Sequence, residues 1–586
     1  MKRLFEKYIW RRVGKKIQRI RRGRREWRNF QKWVKLDCEV KLKNRAALRR
    51  ECENLPFKPL ISVLMPVYNV EEEWLRLAIE SVLGQIYKNW ELCIADDCSP
   101  APHIRRILEE YAARDFRIKT VFRHENGHIS AASNSALELA SGEYAALLDH
   151  DDELCEDALF YVAEEINRFP AADLIYSDED MFDENGARFN PKFKPDWSQD
   201  LFYSVNLVTH LVVYRTNILR KIGGFRTGFE GSQDYDLALR VIEQIPANHI
   251  RHIPRILYHW RAIKGSVAFD SDEKPYAHER ARAALLSHFE RIGKRAVVSQ
   301  TVYNLHRVQY NLPGILPKVC LIILVDDVQS AKSAVENFVE NTDYRNLEIV
   351  LVCLESVVAK ISNLETPLSK NQSVSIKFMI CENLSEAEKY NFAVAQTDGE
   401  ILCFVDAALK PETKDWLTEM IAFACQTEIG AVGAKLLYAD ETILHGGLIV
   451  GTNNLISIAH QHLPRNESGN YARAQIVNNF SAVSISCLAT HREAFDSVGG
   501  FNAGNYPNKL FDVDFCLKLG EKKYRIVFTP YAELTKTKTK RRLNLEKNPT
   551  AEEKKRFVEK WRETLKRDAF YNPNLSKKDA GFSIDI

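Results

Sequence analysis

From Pro56 onward the chain alternates short apolar runs with amphipathic stretches, and this alternation restricts it to one class of fold. Leu60–Met65, Trp90–Ala95, Ile118–Phe122 and Tyr144–Leu148 read as buried strands. Trp74–Leu83, Ile104–Ala113 and Ala131–Ala140 carry helical periodicity between them. Strand and helix joined by short connections require right-handed crossovers, and hence a largely parallel sheet with helices on both faces. Ligands of such sheets bind beyond the carboxyl ends of the strands.

The residues that follow each strand are therefore informative. Pro66-Val67-Tyr68-Asn69 follows the first, Asp96-Asp97 ends the second, and Asp149-His150-Asp151-Asp152 ends the fourth. Acidic groups from separate strands converge on one edge, which is the pattern of a site. Two carboxylates one residue apart at a strand end can face one hard cation, with a substrate's phosphates completing the shell of Mg²⁺ or Mn²⁺. The competing reading is an acidic turn or a helix cap. No Gly-rich fingerprint and no P-loop lysine follows the first strand, which argues against a dehydrogenase or an NTPase. A nucleotidyltransferase would carry a basic Gly-rich first loop, which Pro66–Asn69 is not. Farther on, Asp234 and Asp236 open an amphipathic helix, and Asp234 is a candidate general base; an N-cap or a salt bridge to Arg240 is the structural alternative.

A second alternating series starts near Val319 and repeats the first. Tyr344-Arg345-Asn346 echoes Tyr87-Lys88-Asn89, and Gly399-Glu400 echoes Gly142-Glu143, both at a spacing of 257 residues. Gly499-Gly500-Phe501 with Asp512 and Asp514 echoes Gly223-Gly224-Phe225 with Asp234 and Asp236. Such self-similarity indicates duplicated domains. The expected organisation is a basic arm at 1–55, a first domain at 56–300, a linker at 301–316, a second domain at 317–540, and a charged tail with one helix at 541–586.

Charge is uneven. Met1–Lys35 holds 15 Lys and Arg against two Glu, so the arm carries +13 within a chain of net +3. Phe5, Ile9, Val13, Ile17, Ile20, Trp27, Phe30 and Val34 fall at helical spacing. A basic amphipathic helix with tryptophans suits an anionic membrane surface, and residues 1–35 are expected to meet one. A helix docked on the chain's own acidic body is the alternative. Nothing downstream resembles a nucleic-acid module, so no nucleic-acid partner is expected. No apolar run reaches the length of a membrane span, and the N-terminus has no apolar signal core. The 12 cysteines form no CxxC pair and read as reduced core residues.

The strings "PLISVLMPVYN", "ELCIADDCSP", "GEYAALLDHDDEL", "LIYSDEDMF", "FKPDWSQDL", "GGFRTGFEGSQDYDLALR" and "RILYHWR" run in order through residues of about 58–300. This stretch resembles glycosyltransferase family 2, with its GT-A fold, and within it the two-domain subgroup that builds bacterial O-antigens and rhamnose-rich surface polysaccharides. The resemblance implies two tandem GT-A-like (Rossmann-like) α/β domains. It implies an inverting transferase moving a sugar, rhamnose among the candidates, from a UDP- or dTDP-sugar to a lipid-linked saccharide. Such an enzyme would work on the cytoplasmic face of a bacterial membrane, beside other enzymes of polysaccharide synthesis. A non-catalytic glycan-binding scaffold is the rival reading.

Position by position, Pro66, Tyr68 and Asp97 match nucleotide-binding positions of the family. Asp149 and Asp151 match its DXD motif, which holds a divalent metal (Mn²⁺ or Mg²⁺) and the donor diphosphate. His259 falls where members place a third metal ligand. Asp178 and Asp180 lie in a subgroup string expected near donor sugar or acceptor. Asp234 matches the catalytic aspartate; because Gln233 stands where the family has Glu, Asp236 is a second candidate. The second domain, about 317–540, resembles the same family with an eroded site. It has Leu324 and Val325 after its first strand, Cys353-Leu354 for Asp96-Asp97, Asp406 and Ala408 for Asp149 and Asp151, and Lys536 near the place of His259. Its expected role is to hold the growing glycan or to brace the first domain, Lys536 standing in for the metal's charge being the less favoured version.

Overall fold

A computed structural model describes residues 2–262, 275–361, 374–453, 455–537, 543–578 and 581–586, with backbone alone for 2–22. The first domain runs α1 (Lys2–Glu53), β1 (Ile61–Val67), α2 (Glu72–Leu83), β2 (Trp90–Asp96), α3 (Pro102–Arg114), β3 (Ile118–Phe122), α4 (His128–Leu139), β4 (Tyr144–Leu147), β5 (Glu153–Leu154), α5 (Ala158–Arg168), β6 (Leu174–Phe182), β7 (Arg188–Lys192), α6 (Gln199–Ser204), β8 (Val212–Arg215), α7 (Thr216–Lys221), α8 (Gln233–Ile242), β9 (Ile250–Arg261) and α9 (Pro275–Arg291). The sheet order is β3-β2-β1-β4-β8-β6-β9-β5, with β7 beside β6. Strands β3, β2, β1 and β4 are parallel; β8 enters antiparallel between β4 and β6, and β6 and β9 are again parallel.

Both faces of the sheet are covered, so its central strands are apolar throughout. Ile61, Val63 and Met65 point with Leu92 and Ile94 toward α2, α3, α5 and the end of α1. Leu64, Cys93 and Ala95, one residue out of phase, point toward α4, α6, α8 and α9. Pro66 sits past the last β4 partner of β1, where its missing N–H takes nothing from that ladder.

The second domain repeats the plan. Its ten-stranded sheet orders residues 374–380, 347–353, 319–324, 401–405, 487–491, 429–437, 525–536 and 409–411 as the first orders β3 through β5. One apolar core spans the two sheets: Val319, Leu321 and Ile323 share it with Leu64 and Phe202. The segment expected as a linker contributes to this core. His306–Tyr310 pairs with Ala296–Gln300 as an antiparallel hairpin, and the Tyr310 ring lies between Phe289 and Phe423. Across the seam Asp200 accepts from Arg525 and Asn479 at 2.8 and 2.7 Å.

The arm is one long helix, and its second half docks on the body rather than standing free. Phe30 is only 2% exposed, Trp33 packs edge-on against Phe193, and Val34 lines the same cluster. Lys41 pairs with Asp37 and Asp157, and Arg45 with Glu156. The side chains of Phe5, Ile9, Val13, Ile17 and Ile20 lie outside the described residues. The tail forms two helices, 551–560 and 562–566, and then returns to the first domain, where Asn572 donates to Asp178 and Asn574 to the Pro254 carbonyl. Among the described residues no helix is long and apolar enough to cross a membrane. All twelve cysteines are free.

Candidate active site

The carboxyl edge of β1, β2 and β4 meets the N-terminus of α8. Asp97 follows β2 with its backbone N–H donating to the Val67 carbonyl. Arg123 and the Gly127 N–H donate to its Oδ1 at 2.8 and 3.0 Å, while its buried Oδ2 has no partner among the described residues. A buried acceptor without a donor is costly unless a ligand supplies one. Tyr68, after β1, stands exposed at the same edge.

Asp149 and Asp151 lie in the loop after β4, both partly exposed. The loop is pinned from β9. The Tyr258 hydroxyl donates to Asp152 at 2.5 Å, the Arg261 N–H donates to Asp152 at 2.7 Å, and the Arg261 guanidinium reaches the Asp151 carbonyl at 2.9 Å. Burial, followed by the neighbouring charges of Asp151 and Asp149, raises the pKa of Asp152 well above the usual carboxylate range. Burial also raises Asp149; Asp151 and Asp234 push the same way, and His210 pulls against them. Three carboxylates thus share one pocket. The His210 imidazole lies 4.0 Å from Asp149. Asp149 and Asp151 are the donor set expected for Mg²⁺ or Mn²⁺, which take one or two carboxylates and leave the rest of the shell to phosphate and water.

Asp234 begins α8. Asn206 and Thr209 donate to its Oδ2 at 2.8 and 2.9 Å, and Asn206 also donates to Thr209 at 2.7 Å. Among the described residues its Oδ1 accepts no hydrogen bond, which leaves one oxygen for a proton. Gly231, three residues earlier, has φ +85°, and a Cβ there would stand 3.0 Å from Ala277 and Tyr276. Only glycine lets α9 close over the start of α8.

Four of the expected positions serve the fold instead. Asp236 is 0% exposed and held by Arg226 and Arg240, so it is a core ion pair rather than a base. Asp178 accepts from the Lys194 N–H, His252 and Asn572 beneath the tail. Asp180 pairs with Arg188 and His259. His259 also meets Cys155 at 3.1 Å, so neither ring nitrogen is left for a metal. The cause is strand alternation: on β9, Tyr258 and Trp260 face the site and His259 faces α1. Around His259, Cys155 and Asp180 outweigh burial and raise its pKa to about 9, and His259 and Lys41 in turn lower the Cys155 thiol.

The same alternation identifies residues that motif reading passed over. Glu179, between Asp178 and Asp180, registers with Tyr258 and faces the site. Lys192 donates to it at 2.6 Å and His210 at 2.9 Å from Nδ1. Against its burial, Lys192 and Lys194 hold Glu179 well below the usual range. Buried Lys194, lowered to about 8 by desolvation, donates to the carbonyls of Thr209 and His210 at 2.8 Å each. The His210 ring stacks on Tyr258 at 4.6 Å. Lys194, Glu179 and Tyr258 therefore fix the imidazole beside Asp149.

In the second domain the equivalent carboxylates are used internally. Asp406 accepts from the Ala408 N–H, Asp512 from the N–H groups of Ile485 and Val513, and Asp514 from Lys560 and Trp561. Lys536 pairs with Glu546 at 2.6 Å, which takes the charge that would have replaced a metal.

Residues 62–223 match the family model described as glycosyl transferase family 2. The protein y4gI of Sinorhizobium fredii is 40% identical over 536 residues, covering 90% of this chain and 58% of its own length. The O-antigen biosynthesis protein RfbC of Myxococcus xanthus is 33% identical over 493 residues, 83% of this chain and 38% of its own. The chain thus spans less than two thirds of these curated relatives. Among solved structures, Staphylococcus aureus TarS residues 1–349 match at 19% identity and a TM-score of 0.30, covering 39% of this chain and 72% of that one.

Proposed function

We propose, because this chain belongs to glycosyl transferase family 2 through residues 62–223, that its first domain, residues 56–300, transfers a sugar from a UDP- or dTDP-sugar to a hydroxyl of a lipid-linked saccharide, with inversion. One observation carries the reading: Asp97 from the end of β2, Asp149 and Asp151 from the end of β4, and Asp234 from the start of α8 meet at one edge of the sheet. In this reading Tyr68 covers the face of the base and the unpartnered Asp97 Oδ2 accepts from the base or ribose. Asp149 and Asp151 would hold the divalent ion, which would supply charge to stabilise the diphosphate leaving group. Asp234 accepts the proton of the acceptor hydroxyl through Oδ1 as that oxygen attacks the anomeric carbon. The bond from that carbon to the diphosphate breaks, and the nucleoside diphosphate departs. His210, fixed by Glu179, faces the same charge.

The relationship to an O-antigen biosynthesis protein supports a role in polysaccharide synthesis, and the subgroup resemblance puts rhamnose among the candidate sugars. The +13 arm supports work at the inner face of a bacterial membrane. The second domain, residues 317–540, is read as a non-catalytic support.

The test is turnover of UDP- and dTDP-sugars with Mn²⁺ or Mg²⁺ in wild type, Asp151→Ala and the double variant Asp512→Ala/Asp514→Ala. The expected result is loss of turnover in Asp151→Ala alone. A dead double variant beside an active Asp151→Ala would place the chemistry in the second domain.

A further inference from the structure

A cavity of about 1380 Å³ lies between α1, β7, the second domain and the C-terminal segment, and none of Asp97, Asp149, Asp151 or Asp234 lines it. It exceeds the roughly 300–1,000 Å³ of ordinary small-ligand pockets. Its floor includes Ser484, Lys509, Leu510 and Val513, at the start of helix Phe511–Glu521. That helix is the duplicate of α8, so the cavity occupies the second domain's version of the acceptor side. Asp512 there is turned into backbone hydrogen bonds, and Ala408 replaces a metal ligand. The site has kept its space and lost its chemistry.

The walls combine rings, aliphatic side chains such as Leu455 and Ile458, neutral hydrogen-bonding groups, and the cations Arg25, Lys509, Lys547 and Lys554. Trp27 and Tyr471 contribute ring faces, while Asn470, Gln461, Ser457 and Asn548 contribute amides and a hydroxyl. Sugar rings present an apolar C–H face to aromatic planes and hydroxyls to groups that both donate and accept. A lipid chain would want apolar walls throughout, and a nucleotide diphosphate would want the metal pair that is missing here.

The cavity also adjoins the first domain's site. Phe189 and Pro191 of β7 line it, and Lys192 on the same strand donates to Glu179. The Tyr471 hydroxyl, whose pKa burial raises, also feels the charges of Glu179 and Asp178. One strand and one tyrosine separate the two spaces.

We propose that this cavity binds the saccharide chain of the acceptor, several sugar units long, while its end is extended in the first domain. This rests on the transferase reading for the identity of the acceptor, and on the cavity alone for the binding of an oligosaccharide.

The experiment uses the full chain and a series of rhamnose-, N-acetylglucosamine- and glucuronate-containing oligosaccharides of increasing length. Binding is read by calorimetry, and donor hydrolysis is measured in parallel. Wild type should bind at least one series more tightly as length grows. Trp27→Ala and Asn548→Ala, both at exposed side chains, should weaken that binding at least tenfold with donor hydrolysis and melting temperature unchanged. No binding by wild type, equal binding by these variants, or binding lost in Asp151→Ala instead would overturn the proposal. Absent donor hydrolysis with length-dependent binding intact would refute the transferase reading and leave the oligosaccharide site standing.

Discussion

Asp234 and Asp236 stand two residues apart, and the structure assigns them opposite kinds of work. Their asparagine variants should therefore fail in opposite ways. In Asp234→Asn, the amide oxygen must occupy the Oδ2 position, because Asn206 and Thr209 both donate there. The new amide NH₂ then replaces Oδ1, the oxygen proposed to take the acceptor proton. Shape and packing persist while the base is gone. Removing a general base costs about 10²–10⁴ in rate, or about 3–5 kcal/mol of transition-state stabilisation. The drop should appear in kcat, with donor KM and melting temperature near wild type.

In Asp236→Asn, a carboxylate with no exposed surface is lost from between Arg226 and Arg240. Breaking a buried pair leaves an uncompensated charge and costs about 3–5 kcal/mol. The melting temperature should fall by roughly 10 °C, with activity per folded molecule largely retained at low temperature. Steady-state kinetics on an excess of acceptor, beside thermal unfolding of both variants, decides the matter. An active Asp234→Asn, or a stable but inactive Asp236→Asn, would refute the assignment.

Arg525→Ala should cost about 3–5 kcal/mol, because it strands the buried Asp200 carboxylate at the domain seam; unfolding that splits into two separate transitions would confirm the seam as the coupling element, and an unchanged profile would argue against it. The His259 pKa is raised from 6.5 to about 9, so its ion pairing stabilises fully below pH 6.5 and is lost as pH rises through about 9. Wild type should thus lose more stability than His259→Gln between pH 7 and 10, and parallel curves would contradict the pairing. Chelation of divalent ions should abolish turnover and Mn²⁺ should restore it in wild type, whereas Asp151→Ala should need far more Mn²⁺ or none should suffice; turnover indifferent to chelator would refute the metal reading.

The parallel strands were legible because burial on both faces leaves continuous apolar runs. Ile118–Phe122 matches its expected bounds, and the other strands differ by one or two residues at an end. The acidic ends of β2 and β4 were legible for the same reason, since strand direction decides where a terminal Asp goes. What local reading could not supply was register. Asp178 and Asp180 attract attention as a pair, yet on β6 their shared parity turns both away from the site and leaves Glu179 facing it. His259 failed by the same one-residue phase. Docking was also hidden: Phe30 and Val34 look alike on a membrane-seeking helix and on one that packs against Phe193, because periodicity reports an apolar face and not its partner. The second strand of the hairpin, 306–310, fell within the expected 301–316 linker, and what packs on it, Phe289 and Phe423, comes from two different domains.

Comparison of the two domains changes what the surviving acidic residues mean. Asp514 and Asp236 occupy the same position, and both are fully buried ion-pair partners. Each has a cation one turn on in its own helix, Arg240 for Asp236 and Lys518 for Asp514, but the second cation differs in origin: Arg226 comes from the first domain's loop, whereas Lys560 comes from the tail, with the neutral Trp561 indole donating beside it. Persistence at that position therefore records a demand of the fold, not a remnant of catalysis. Asp512 and Asp234 diverge where it matters. Asp234 is held by two side chains on one oxygen and keeps the other open, while Asp512 is buried with backbone donors on both oxygens. A carboxylate with a backbone donor on each oxygen leaves neither as open to an acceptor hydroxyl as Asp234 Oδ1 is. Ala408 stands for Asp151 and backbone N–H groups hold Asp512, so in the proposed reading the duplicated site keeps the space above it without the reaction.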